Sequence, residues 1–119
     1  MPFPDKEIQY LLEKAESYEK IFRLPELEQA LKCYNKIIDS TSPHPYYYIK
    51  RAKVKYALAR TSAFHDLGGA FEDIDRAIEL EPDKGEYYRL RGEYVMLKLT
   101  EERYVADDVR KLRSVVTYK

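Results

Sequence analysis

The chain has 119 residues, the size of one domain, with 21 basic and 21 acidic residues and a formal net charge of zero. This balance argues against a general nucleic-acid or anionic-membrane binder, because both need a surplus of positive charge. A single cysteine excludes an internal disulfide framework. The sequence shows no secretory signal pattern and no apolar run of roughly 18 residues, so we expect a cytoplasmic protein without a membrane partner.

Apolar residues recur at helical spacing along the chain, whereas hairpin turns of the Asn-Gly type are missing and only four residues are glycine. The sequence therefore predicts an all-α protein with six helices. We place these helices at about residues 5–22, 25–39, 45–60, 70–80, 83–99 and 100–117.

Prolines and capping residues set the predicted boundaries. Pro25 suits the first turn of the second helix, and Pro82 follows the end of the fourth. Asp83, with Glu86 three residues later, resembles a capping box that opens the fifth helix. Thr100 is interpreted as the residue that opens the sixth helix.

The helical pattern repeats itself with a spacing of 40 residues. The matching pairs are Ala30/Ala70, Leu31/Phe71, Lys36/Arg76, Ile38/Ile78, Tyr47/Tyr87, Tyr48/Tyr88, Arg51/Arg91 and Ala52/Gly92. Repetition of helix pairs predicts a solenoid, because one pair cannot bury its apolar face alone and stacked neighbours complete the core.

One stretch of the second copy carries a family resemblance. It contains Ala70-x-x-x-Ile74, Ala77, Pro82 and then Tyr88-x-x-Arg91-Gly92. This pattern closely resembles the tetratricopeptide repeat, which places small residues where two helices cross and a proline after the second helix. The resemblance implies a right-handed α-solenoid of three antiparallel helix pairs in a single domain, 1–119. Its repeats would span about 5–40, 45–80 and 84–117, and an insertion in the loop at about 60–69 would explain a spacing longer than the family's 34 residues.

In the resembled family, the first helix of each pair lines a concave groove that holds a peptide or helix of a partner protein. The resemblance therefore implies a protein–protein interaction module, such as an adaptor, a scaffold or a co-chaperone-like protein. The groove residues that it implies are Tyr46, Ile49, Lys53 and Tyr56 of the third helix and Glu86, Arg89, Glu93 and Met96 of the fifth. Leu12, Ala15, Glu19 and Phe22 would join them from the first helix, where either Ala15 or Tyr18 takes the small-residue position.

Chaperone-binding members of the family grip a partner's C-terminal carboxylate with lysine and asparagine side chains. Glu19 and Glu86 stand at two of the matching places in this chain, and two acids would repel a carboxylate. The resemblance therefore does not extend to carboxylate recognition.

No enzyme signature is present in the sequence. His44 and His65 lie in separate predicted loops without ligand spacing, and Asp73 and Asp75 are interpreted as solvated helix-face residues. The Gly68-Gly69 pair lacks the surrounding residues of a phosphate-binding loop. We therefore expect no catalytic residue, no metal site and no cofactor.

Two other functions stay open. The chain could associate with itself through a terminal repeat or through the predicted sixth helix, whose apolar stripe consists of Val105, Val109, Leu112 and Val116. It could also bind RNA through the basic third helix, because basic side chains near stacking tyrosines can hold a single strand. That basic cluster consists of Lys50, Arg51, Lys53, Lys55 and Arg60. Of the two, nucleic acid is the less favoured partner, since a solvated basic face explains the cluster.

Overall fold

The computed structural model describes residues 5–61 and 67–117, with the side chains of residues 6–61, 67–100 and 110. These residues form five α-helices and no strand. The helices are α1 (Asp5–Ile21), α2 (Leu24–Ser40), α3 (Pro45–Thr61), α4 (Gly68–Leu80) and α5 (Gly85–Thr117). The all-α class is thus confirmed, and the first four helices begin and end within two residues of their predicted bounds.

The prediction of a separate sixth helix is wrong, because α5 runs without a break from Gly85 to Thr117. No proline follows Pro82 in the sequence to interrupt it. Thr100 Oγ1 donates a hydrogen bond to the carbonyl of Met96 at 2.9 Å, as a threonine inside a helix does, and so does not cap a new helix. The predicted stripe of Val105, Val109, Leu112 and Val116 lies outside the side chains that the structure describes.

Local residues set the helix boundaries. Pro25 lies in the first turn of α2, where its missing amide costs no helical hydrogen bond. His44 Nδ1 accepts a hydrogen bond from the amide of Tyr46 at 3.2 Å at the start of α3. The amide of Glu81 donates to the carbonyl of Ala77 at 2.9 Å and closes the last turn of α4.

The core consists of two clusters of buried side chains that meet different faces of α3. The first joins α1, α2 and α3 through Ala15, Leu27, Ala30, Cys33, Tyr34, Ile37, Val54, Ala57 and Leu58. The second joins α3, α4 and α5 through Ile49, Ala52, Ala70, Ile74, Ala77, Tyr87 and Tyr94. Of Ala15 and Tyr18, between which the sequence left the small-residue position open, Ala15 is fully buried in this cluster and Tyr18 is half-buried against it.

The 40-residue spacing reappears in the packing. Six pairs of buried residues have this spacing: Leu27/Leu67, Ala30/Ala70, Cys33/Asp73, Tyr34/Ile74, Ile37/Ala77 and Val54/Tyr94. A polar contact repeats as well. Arg51 Nη1 donates to Asn35 Oδ1 at 3.0 Å, and Arg91 Nε donates to Asp75 Oδ1 at 2.8 Å. The packing of α5 on α4 therefore repeats the packing of α3 on α2.

Helices that follow one another in the chain pack side by side, and the contact between α4 and α5 is the smallest of these. α4 has 13 residues and α5 has 33, lengths of about 20 Å and about 50 Å. α5 therefore continues well beyond the helix on which it packs.

Candidate binding cleft between α3 and α5

A small cleft of about 90 Å³ lies between α3 and α5. The residues that line it are Ile49, Lys53, Glu86, Tyr87, Arg89, Leu90 and Glu93. Five of them, Ile49, Lys53, Glu86, Arg89 and Glu93, are among the eight groove residues that the sequence predicts. The structure thus brings together predicted residues that lie more than 30 positions apart in the chain.

Helical spacing explains the lining. Ile49 and Lys53 are four residues apart on one side of α3, and Glu86, Leu90 and Glu93 follow one side of α5 at spacings of four and three. Ile49 is buried and Leu90 is half-buried, so the two form an apolar floor beneath charged rims.

Tyr87 fixes the N-terminal end of α5 beside this floor. Its ring is buried, and its hydroxyl donates a hydrogen bond to Glu81 Oε2 at 3.2 Å. Burial and the neighbouring Glu81 carboxylate raise the pKa of the Tyr87 hydroxyl. The residue was not predicted as part of the site, although its match to Tyr47 in the 40-residue repeat marks it as an inward-facing position.

The charged side chains at the rims of the cleft are available to pair with a ligand. Lys53, Glu86, Arg89 and Glu93 are all exposed. None of the four has an ion-pair partner among the described residues. The cleft therefore presents two cations and two carboxylates, not yet neutralised, around an apolar floor.

Three of the predicted groove residues lie elsewhere. Tyr46 lies where α3 meets α1, and its hydroxyl reaches Glu16 Oε1 at 3.5 Å. Tyr56 is half-buried, with its ring stacked on Tyr94. Met96 is 65% exposed, further along α5 than the cleft.

Between α1 and α3 the charges are already paired. Lys50 Nζ lies 3.6 Å from Glu19 Oε2 and 3.9 Å from Glu16 Oε1. Glu19 also accepts a hydrogen bond from the buried Tyr34 hydroxyl at 2.6 Å. Burial, together with this carboxylate, raises the pKa of Tyr34. The α1 side of the predicted groove is therefore a structural contact more than an open site.

Of the other residues implied from α1, Leu12 packs against the first core cluster and Phe22 is 57% exposed. Phe22 follows the last residue of α1 with a φ of 53°, a left-handed conformation common after helix C-termini.

A second prediction, that Asp73 is a solvated helix-face residue, is wrong. Asp73 is only 3% exposed. Both of its oxygens accept hydrogen bonds from Arg51, at 2.7 and 2.8 Å, and Lys55 Nζ lies 3.0 Å away. The repeat carried a signal for this, since Asp73 matches the buried Cys33. By contrast Asp75, paired with Arg91, has a half-exposed side chain, so its interpretation as a solvated residue is in line with the structure.

These contacts neutralise most of the basic third helix. Lys50, Arg51 and Lys55 are each paired with carboxylates inside the chain. Arg60 lies over the Tyr56 ring. Cations engaged in this way release little free energy on binding a phosphate backbone, which weakens the RNA alternative.

The described residues contain no group of three or more histidine, cysteine or acidic side chains placed to hold a metal ion. Cys33 is buried, and burial raises the pKa of its thiol, as expected of a packed cysteine. His65 lies outside the described residues. Within the described part of the chain, no helix has the length and apolar character needed to cross a membrane.

Comparison with known proteins gives no relative to set beside this geometry: no protein-family model, no curated protein and no solved structure matches the chain at a significant level.

Proposed function

We propose that this protein is a cytoplasmic protein–protein interaction module that holds a peptide or helix of a partner in the cleft between α3 and α5. Its architecture would be a tetratricopeptide-like solenoid in which the third repeat consists of α5 alone. Sequential packing of the helices and the repeated buried positions support that architecture.

The cleft is the observation that carries the proposal. Its apolar floor of Ile49 and Leu90 offers an anchor site, and exposed charges of both signs surround it. Partner helices and extended peptides bind such surfaces with one or two buried apolar side chains, while charges at the rim set register and partner choice. A binding role, not a catalytic one, fits a site with no nucleophile beside a base.

The charges of the partner segment should be opposite to those at the rims of the cleft. Lys53 and Arg89 call for acidic side chains, and Glu86 and Glu93 call for basic ones. We expect a segment with one or two apolar anchors flanked by both kinds of charge, whose binding weakens moderately with salt because some rim charges are exposed.

The test is selection of displayed peptides on the wild-type chain, followed by titration of the best peptide against variants. The double variant Lys53→Glu/Glu86→Lys reverses one charge on each side of the cleft and leaves the floor intact. We expect it to weaken binding by about tenfold or more. Lys36→Glu reverses one exposed charge on α2, outside the cleft lining, and serves as a control that should leave affinity unchanged.

The position of the bound peptide is measured separately by amide chemical shifts. Shifts centred on Ile49, Lys53 and Leu90 support the cleft. Peptides that shift α2 or α4 instead, or that bind the double variant as tightly as wild type, would show that the cleft is not the site.

A further inference from the structure

The repeat relation between α3 and α5 exposes a face of α5 that has no neighbour. On α3, Ile49 and Ala52 belong to the second core cluster, and Tyr48 and Tyr56 pack against it; α4 and α5 supply the rest of that cluster. The residues 40 positions later on α5 are Tyr88, Arg89, Gly92 and Met96. We call these four residues the end face of α5.

The end face is open in the described structure. Ala52 is fully buried in the second core cluster, but a Cβ on Gly92 would meet no atom within 4 Å apart from its chain neighbours and the backbone of its own helix. Tyr88 is 50% exposed and Met96 is 65% exposed. The end face thus combines large exposed apolar side chains with a small residue at its centre, which permits close approach of a second helix.

The contacts of Arg51 and Arg91 also indicate that α5 has no neighbour on this side. Arg51 bridges two helices, donating to Asn35 of α2 and to Asp73 of α4. Its equivalent Arg91 donates to Asp75 of α4, the counterpart of Asn35. Residue 113, the counterpart of Asp73, is an arginine and lies on α5 itself. α5 therefore keeps the contact with the preceding helix that α3 has, but it has no counterpart of the contact that α3 makes with the following helix.

The end face and the adjacent Glu93 carry groups that are complementary to a second copy of the same surface. Arg89 and Glu93 are exposed, four residues apart, and without an ion-pair partner among the described residues. If two α5 helices cross antiparallel at Gly92, Arg89 of each copy lies within about one helical turn of Glu93 of the other. The same arrangement places Tyr88 of each copy against Met96 of the other. A two-fold interface requires a surface of this kind, on which each residue meets its complement.

We infer that the end face of α5 is a homodimer interface, in which a second copy of this chain packs its own α5 antiparallel across Gly92. Centred on Gly92, the two helices overlap from Gly85 to Leu99 in each copy, and the rest of α5 extends past the crossing. Arg89 and Glu93 also border the cleft, so the dimer and a cleft-bound peptide meet along one edge of α5.

Sedimentation equilibrium of charge variants tests this interface. Arg89→Glu places two acids opposite each other at both symmetric contacts, and we expect the dimer dissociation constant to rise by about tenfold or more. Arg89→Glu/Glu93→Arg restores opposite charges and should return the constant to within about threefold of wild type. Lys36→Glu, which carries the same change of charge on α2, should have no effect. A wild-type chain that stays monomeric up to about 1 mM, or a dimer that Arg89→Glu does not weaken, would overturn the inference.

Disulfide trapping tests the antiparallel direction. Tyr88→Cys and Met96→Cys chains are oxidised separately and as an equal mixture. The antiparallel crossing predicts a crosslinked dimer mainly in the mixture, because residue 88 of one copy faces residue 96 of the other. Cys33 is buried and should not compete. Crosslinked dimers in each single-variant sample, with no mixed Tyr88→Cys/Met96→Cys dimer in the mixture, would overturn the antiparallel arrangement.

Discussion

The ring of Tyr56 in α3 lies flat on the ring of Tyr94 in α5, with 3.9 Å between the ring centroids and 4° between the ring planes. Tyr94 is buried in the second core cluster and Tyr56 packs against that cluster. The pair joins the two helices that form the cleft. Aromatic contact of this kind adds about 0.5–1.5 kcal/mol to the free energy gained by burial, so the pair fixes the width of the cleft more than it offers a surface to a ligand.

Tyr56→Asp should therefore destabilise the fold. The substitution removes the stacked ring and places a carboxylate against the second core cluster, and we expect a loss of about 3 kcal/mol in the free energy of unfolding. Met96→Asp changes a 65% exposed side chain and should cost about 0.5 kcal/mol or less. Urea unfolding followed by circular dichroism measures both. Equal costs for the two variants would contradict the packing role of Tyr56.

The buried carboxylate of Asp73 yields a second prediction. Asp73→Ala leaves Arg51 and Lys55 without their common partner in a mostly buried site, and we expect a loss of about 3 kcal/mol. Asp75→Ala is the matched control two residues away. Asp75 pairs with Arg91 at a half-exposed site, where ion pairs contribute about 1 kcal/mol or less. Thermal or urea unfolding of the two variants should separate them clearly, and similar values would show that the Asp73 network does not stabilise the fold.

Much of this fold could be predicted from the sequence because its helices end at strong local signals. Pro25, Pro45 and Pro82 stand within two residues of helix boundaries, and their effect on the backbone needs no tertiary context. The 40-residue spacing also anticipated the buried set, since positions such as Ala30 and Ala70 face the same kind of crossing in each copy.

The two wrong predictions, a separate sixth helix and a solvated Asp73, concern residues whose local sequence is compatible with two different structures. Thr100 followed by two acids is a good capping sequence, but a threonine can also donate to the preceding turn, and nothing nearby stops the helix. Asp73 lies on a helix with acidic neighbours, and only the arrival of Arg51 and Lys55 from α3 makes its burial favourable. Tyr56 was predicted to line the groove, but its ring stacks on Tyr94 of α5, a contact between distant parts of the chain that the local pattern does not reveal.

The continuity of α5 gives a third prediction. The substitution Thr100→Ala should change the free energy of unfolding in opposite directions, depending on whether Thr100 caps a sixth helix or lies inside one continuous helix. If Thr100 capped a sixth helix, Thr100→Ala would cost about 1 kcal/mol. Inside a continuous helix, alanine has the higher propensity, so we expect the variant to be neutral or more stable by up to about 0.5 kcal/mol. The measurement is urea unfolding at a fixed low protein concentration, which keeps self-association from contributing. A clear loss of stability would contradict an unbroken α5.

Alkaline pH gives the fourth prediction. Burial, with the Glu19 hydrogen bond, raises the pKa of Tyr34, and burial likewise raises the pKa of Tyr94. In the unfolded chain both hydroxyls ionise near their ordinary pKa of about 10. A group whose pKa is raised by folding contributes its full stability below its unfolded pKa and loses it as the pH rises toward the folded pKa. The contribution of these two tyrosines to the free energy of unfolding should therefore be complete at neutral pH and decrease above about pH 10.

Tyrosinate absorbance and circular dichroism, recorded together through a base titration, check this expectation. The hydroxyls of Tyr34 and Tyr94 should ionise only as the helices unfold. Tyr34→Phe keeps the ring and removes one late-titrating hydroxyl, so its stability should fall less steeply above about pH 10, after a loss of about 1 kcal/mol at neutral pH from the missing hydrogen bond to Glu19. If all the tyrosines ionised in one step while the helical signal persisted, the burial of Tyr34 and Tyr94 would be contradicted, because a buried hydroxyl cannot ionise near its ordinary pKa without opening the core around it.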